Sequence, residues 1–218
     1  MEKIMSRRTA AKGSFLFWES DEADKLYYIR SGQVKLLKST EDGKDLILSI
    51  LQKGDLIAEV NGFGEASHSF SAEIVSDAEI GVIHRKELNA LFAKHGDLSV
   101  PFMYWLGMTH RILQSKFRDL LLYGKPGALA STLIRLGNTY GEQDADGVIH
   151  VRLKLTNSEL GDMIGATRES VNRMLSEWKD TGAIDFVDGR LVIYRIDSLR
   201  RVCNCPKAPE CPFEVCRL

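Results

Sequence analysis

The stretch from Thr156 to Gly182, TNSELGDMIGATRESVNRMLSEWKDTG, allows few folds. Thr156 with Glu159 is a capping-box helix start. Leu160, Met163 and Ile164 give that helix one apolar face, and Gly165 can take the left-handed conformation that ends it. Thr167 can cap a second helix. On it Val171, Met174, Leu175 and Trp178 recur at helical spacing and face the first helix. Glu169, Asn172, Arg173 and Ser176 recur on the opposite side, with Arg168 at its edge. Ile184 to Ile193 then alternates around Asp188-Gly189, a two-residue hairpin signal. Two helices, a tight bend and a β wing make a unit able to read DNA. An Arg can grip guanine O6 and N7, and a Glu can accept from cytosine N4. The competing possibility is a helical hairpin with a solvated outer face.

Bulk charge does not choose between these. The chain carries a net charge of −1, and from Gly147 to Arg201 nine Lys and Arg stand against eight Asp and Glu. DNA binding must therefore rest on placement, with Arg152, Lys154, Arg168, Arg173, Lys179, Arg190 and Arg195 forming one basic face. Hydrophobic content of 44% and charged content of 27% are those of a soluble globular protein. No apolar run reaches membrane-spanning length, and the basic N-terminus has no apolar segment after it. A cytoplasmic protein with no membrane partner is expected.

Residues 13–84 read as all-β. Short apolar runs are split by Gly32, Gly43 and Gly54 at a spacing of eleven, and the small-residue loop 61–69 interrupts them. A short helix is expected over Lys86–Lys94 and a long one over Asp97–Leu122. On the long helix Phe102, Leu106, Thr109, Leu113, Lys116 and Leu120 alternate steps of four and three, a coiled-coil-like seam with two polar members. Met103, Trp105, Met108, Ile112 and Phe117 give it a second apolar flank, so the helix needs two partners: its own domain and the same helix of a second subunit. Tyr123-Gly124-Lys125-Pro126-Gly127 is a hinge. Beyond it come a helix over Ala128–Tyr140, a polar loop and a strand over Val148–Leu155.

All four cysteines, Cys203, Cys205, Cys211 and Cys216, lie at the end of the chain. Cys205 and Cys211 are each followed by proline, which fixes the chain and removes a competing N–H donor. Such thiols can wrap an iron–sulfur cube or a tetrahedral zinc, since both use Cys₄ sites. Spacing leaves these two open, with a disulfide switch behind them.

A β domain, a long dimer-type helix, a hinge and a winged helix-turn-helix, in that order, resemble the Crp–Fnr family of bacterial transcription regulators. The segment ATRESVNRML looks like the family's Arg-Glu-x-x-x-Arg reading helix. The segment LQSKFRDLLLYGKPGALASTLIRL and the tail CPFEVC look like the Bacillus-type Fnr oxygen sensors. The resemblance implies an α+β architecture: a cyclic-nucleotide-binding-like β-roll over 1–96, a dimerisation helix over 97–123, a winged helix-turn-helix over 124–201 and a cluster-binding tail over 202–218. It implies no enzyme activity but a homodimer on double-stranded DNA, with RNA polymerase as a further partner. Thr167, Arg168, Glu169, Ser170, Asn172 and Arg173 would meet the DNA. Arg173 on guanine and Glu169 on cytosine suit a TGTGA-type palindrome. Asn172, where the other Fnr branch carries Ser, favours that type.

The resemblance also implies a [4Fe–4S] cluster held by Cys205, Cys211, Cys216 and Asp119, the last from the motif Lys116 to Leu122. Cys203 is then spare or takes the place of Asp119. The gap before Cys211 is longer here than in that group. Without the motif, Asp119 reads as a solvated helix charge. Cluster loss in oxygen would lower DNA affinity and so control anaerobic genes, with an activator expected and repression left open; the alternative is a structural zinc or thiol redox tail with another effector. Cyclic AMP is not expected. Relatives that bind it place an Arg where Phe70 stands, in Phe70-Ser71-Ala72 after Ala58-Glu59, and a buried phosphate without its cation is costly.

Overall fold

Alternating apolar residues build the first of two units, Met1–Met103, and helix packing builds the second, Tyr104–Leu218. The computed structural model describes residues 4–59, 67–205 and 211–218. Positions 61–66 of the expected loop, and Pro206, lie outside that range.

The first unit is an antiparallel sheet in the order β1-β6-β3-β4, with β2 paired to β6 and β5 to β3. The strands are β1 (Ser6–Ala10), β2 (Phe15–Phe17), β3 (Lys25–Ser39), β4 (Asp45–Gln52), β5 (Leu56–Ile57) and β6 (Ser71–His84). Ile29, Val34, Ile74 and Ile80 are fully buried at its centre. Each such side chain stabilises the fold by about 1.5–3 kcal/mol. Gly32, expected as a turn, is a bulge inside one long strand. Its φ is +84°, and a Cβ there would lie 2.5 Å from the Asp77 carbonyl oxygen. The pairing of β3 with β6 slips around it, between Ile29 and Val34. Helix α1 (Arg85–Lys94) closes the unit through Leu88 on Leu26 and Ile83.

Helix α2 (Ser99–Tyr140) begins in the first unit and runs through the second, with one non-helical residue, Gly124, at φ 60° and ψ −164°. Only glycine adopts that conformation readily. Pro126 follows in the first turn after the break, where its missing N–H costs nothing. A Cβ on Gly127 would lie 2.1 Å from Tyr123 Cβ, so the two halves of the helix touch at the break. Of the expected seam, Thr109, Leu113 and Leu120 are exposed while Phe102, Leu106 and Lys116 are half-buried. The solvent face carries His110, Leu113, Phe117 and Leu120, with Leu113 59% and Phe117 62% exposed. The inner face carries Trp105, Met108, Ile112, Ser115 and Asp119.

The second unit continues with β7 (Gly141–Gln143), β8 (Ile149–Val151), α3 (Asn157–Ile164), α4 (Arg168–Asp180), β9 (Ile184–Val187), β10 (Arg190–Ile193) and α5 (Ile196–Val202). Its sheet runs β7-β8-β10-β9. Leu129, Leu133, Leu160, Val171, Ile184, Ile193 and Leu199 fill the core between sheet and helices. Among the described residues no helix is long and apolar enough to cross a membrane.

Candidate nucleic-acid interface and tail site

The reading helix forms where its local chemistry says it must. Thr156 Oγ1 accepts from the Glu159 amide at 3.2 Å, and Glu159 accepts from the Thr156 amide at 2.8 Å, closing the capping box of α3. Gly165 ends α3 at φ 62° and ψ 40°. A Cβ on Gly161 would lie 2.4 Å from the Ala166 oxygen, so the bend between α3 and α4 leaves no room for a larger residue; this signal was missed in the sequence. Thr167 caps α4 by accepting from the Ser170 amide at 3.3 Å. Val171, Met174 and Leu175 are buried against the module.

Arg168, Glu169, Asn172 and Arg173 stand exposed on the outer face, while Thr167 and the half-buried Ser170 are joined in the cap. Asn172 accepts from the Asn157 side chain, which ties it to the start of α3. The Glu169 carboxyl is held below its ordinary value by its own backbone amide and by Thr167, so it presents an anionic acceptor at neutral pH. The wing turns at Asp188 and Gly189, both left-handed with φ 51° and 74°. A cleft between α4 and the wing brings Lys154, Arg168 and Lys179 together. The expected basic face is partly neutralised. Arg152 pairs with Glu142 at 3.1 Å, Lys179 with Asp185 at 2.8 Å, and Arg195 donates to the Gly182 carbonyl at 3.3 Å.

The tail returns to the helix break. After α5, Asn204 turns the chain at φ 44° and donates to the Tyr123 hydroxyl at 3.0 Å. Asp119 and all four cysteines line one small cavity, with Arg118 and Arg135 on its wall. Asp119 is 2% exposed, not a solvated charge. Its Oδ1 accepts from Arg118 Nε at 2.9 Å, and its Oδ2 from Arg135 at 3.4 Å and from Ser131.

All four thiols are free. Burial pushes the Cys205 thiol up, and its neighbours Cys216 and Cys211 push it further. Burial also raises Cys216, while Arg135 opposes the rise. Burial opposes the charge of Arg118, but Asp119 and Cys211 outweigh it and hold that guanidinium above its ordinary value. Cys203 stands apart: it is buried, its thiol is pushed up to about 12 by desolvation, and its Sγ faces the Leu199 carbonyl at 3.5 Å. Thiols and a carboxylate around one cavity are donors that either an iron–sulfur cube or a zinc could use. Among the described residues no three His, Cys, Asp or Glu groups converge on a single-ion site.

In the β domain, Glu59 accepts from His68 Nδ1 at 2.7 Å and from the Ser69 amide at 3.1 Å. His68 stacks on Phe17 at 3.5 Å, and Phe70 packs on the core.

Residues 7–95 match the cyclic nucleotide-binding domain, and residues 127–202 the Crp-like helix-turn-helix domain. The chain is 40% identical, over its whole length and 91% of the relative, to the anaerobic regulatory protein of Bacillus subtilis (strain 168). It is 28% identical to the CRP-like cAMP-activated global transcriptional regulator of Mycobacterium tuberculosis (strain CDC 1551 / Oshkosh), over 84% of this chain and 80% of that one. Among solved structures it resembles a CooA variant from Carboxydothermus hydrogenoformans, with a TM-score of 0.78, 20% identity and coverage of 92% and 88%. FixK2 from Bradyrhizobium japonicum aligns with a TM-score of 0.76, 20% identity and coverage of 91% and 97%.

Proposed function

Because this chain belongs to the Crp–Fnr family of transcription regulators, we propose that it is an oxygen-controlled homodimer whose tail holds a [4Fe–4S] cluster. Its Crp-like helix-turn-helix makes it a DNA-binding protein, and its domains are those of regulators, not enzymes. The outer face of α4 would read a TGTGA-type palindrome, with Arg173 on guanine and Glu169 on cytosine. RNA polymerase would be its partner at promoters of anaerobic genes, in the cytoplasm.

The observation that carries the oxygen reading is Asp119. A carboxylate on the dimer helix is buried beside the tail thiols, five residues before the break at Gly124. Cys205, Cys211, Cys216 and Asp119 would hold the cluster. Cys203, turned into its own helix, is spare. A carboxylate is a harder and weaker ligand for iron than a thiolate, so bound there the cluster supplies an oxygen-labile centre. The residues do the coupling. Asp119 lies before Gly124 and the thiols lie on the tail, so a shared centre fixes the joint that sets the reading helices. Loss of that constraint lowers DNA affinity, provided the two states differ in affinity. The β domain does not take cyclic AMP in this reading, because Glu59 is held by His68 and Ser69 and the apolar Phe70 packs on the core.

The test is metal analysis of protein purified without oxygen, followed by its visible spectrum and DNA affinity as air is admitted. About four irons and four sulfides per chain, bleaching as affinity falls, is the expected result. One zinc per chain that survives air would make the tail a structural clip and sink the oxygen reading.

A further inference from the structure

Arg135 is a lone charge in an otherwise apolar and small-residue stretch of α2, Ala128–Leu136, and it is 3% exposed. A buried guanidinium is stable only if its donors are used. Here all three nitrogens are. Nη1 donates to the carbonyls of Val215 at 2.8 Å and Arg217 at 3.2 Å. Nη2 donates to Ser115 Oγ at 2.8 Å and to Asp119 at 3.4 Å. Nε donates to Ser131 Oγ at 3.2 Å. One side chain thus joins α2 before the break, α2 after it, and the tail.

The next residues of the same helix face continue the contact. Asn138 Nδ2 donates to the Cys216 carbonyl at 2.8 Å, and Thr139 Oγ1 accepts from the Leu218 amide at 3.0 Å. Val215 and Leu218 are buried beneath them. The tail partners of Arg135 and Thr139 are backbone groups, and Asn138 holds both the carbonyl and the thiol of Cys216.

We propose that Arg135, with Asn138 and Thr139, is a metal-independent latch that docks Val215–Leu218 on α2 and so positions the tail thiols beside Asp119. Arg135 is a positioning residue: it holds the carbonyls on either side of Cys216 and leaves the sulfur to the cavity. The latch rests on the reading above only for what the thiols hold; the docking itself needs no metal. A Lys at position 135 has no planar fork and cannot serve two carbonyls and a carboxylate together.

The experiment uses full-length, reduced, metal-free protein. Iodoacetamide labelling of each cysteine is timed by mass spectrometry in wild type, Arg135→Met, Arg135→Lys and Asn138→Ala. Cys203 lines the same cavity, so general loosening is judged by the thermal unfolding midpoint of each variant. The expected result is a severalfold faster labelling of Cys216 in Arg135→Met and Asn138→Ala, an intermediate rate in Arg135→Lys, and an unfolding midpoint in Asn138→Ala close to that of wild type. Equal Cys216 rates in all four proteins would overturn the latch. So would a faster Cys216 in Asn138→Ala that comes only with a lowered unfolding midpoint, since that is general loosening. Should Arg135→Met fail to fold, Asn138→Ala decides. Iron and sulfide content of the anaerobically isolated wild type is a separate reading, so a missing cluster and a missing latch are told apart.

Discussion

Asp119 shows how one side chain can serve two structures. It is buried between Arg118, Arg135 and Ser131, and the same carboxylate lines the thiol cavity. Removing one member of a buried ion pair costs about 3–5 kcal/mol, because the partner charge is left uncompensated. An Ala at this position therefore confuses lost ligation with lost stability. Asp119→Cys removes the same carboxylate from Arg118 and Arg135 but still offers iron a donor, a softer thiolate in place of oxygen. We expect Asp119→Cys protein to keep its cluster and to bleach more slowly in air than wild type, followed at visible wavelengths. Faster bleaching, or no difference, would remove Asp119 from the ligand set. None of this burial was legible locally. Asp119 sits on a helix whose neighbours in sequence are polar and apolar in turn, and what covers it arrives from the far end of the chain. Arg135 left a clearer mark, a single cation within an apolar run, which the sequence reading passed over.

At the scale of elements, short-range chemistry was read well and long-range pairing was not. The caps at Thr156 and Thr167, the left-handed Gly165 and the Asp188-Gly189 turn are set by residues within a few positions of each other, and each is found where the sequence put it. Gly32 misled because glycine marks a bulge as readily as a turn; only the approach of Asp77 from another strand tells them apart. Strand β1 went unseen since only Ala10 of its residues is buried, leaving no alternation to detect. On α2 the expected seam shares Leu113 and Leu120 with the exposed stripe, while Ser115 and Asp119 are polar residues that lie on the inner face. The exposed stripe through Leu113 and Phe117 is the expected contact with a second copy. Leu113→Glu with Phe117→Glu should turn the dimer into a monomer in analytical ultracentrifugation while the circular dichroism spectrum is retained. A dimer that survives both charges would move the contact elsewhere.

For the molecule as a whole, the family match gives DNA binding, and two-fold symmetry turns it into geometry. We expect two copies to place their reading helices on half-sites about 34–36 Å apart, roughly one helical turn. Inserting about five base pairs between the half-sites rotates one by half a turn, and binding in a gel-shift assay should then be lost; about ten should partly restore it. Binding that ignores the insertion would mean each copy reads alone. The tail site has a different arithmetic. Ser115, Asp119, Arg135 and the cysteines all belong to the second unit of a single chain. In the proposed reading, a dimer would be a pair of separate detectors wired to one palindrome. At intermediate exposure some molecules would carry one intact detector and one spent one, and the output would be graded by dose.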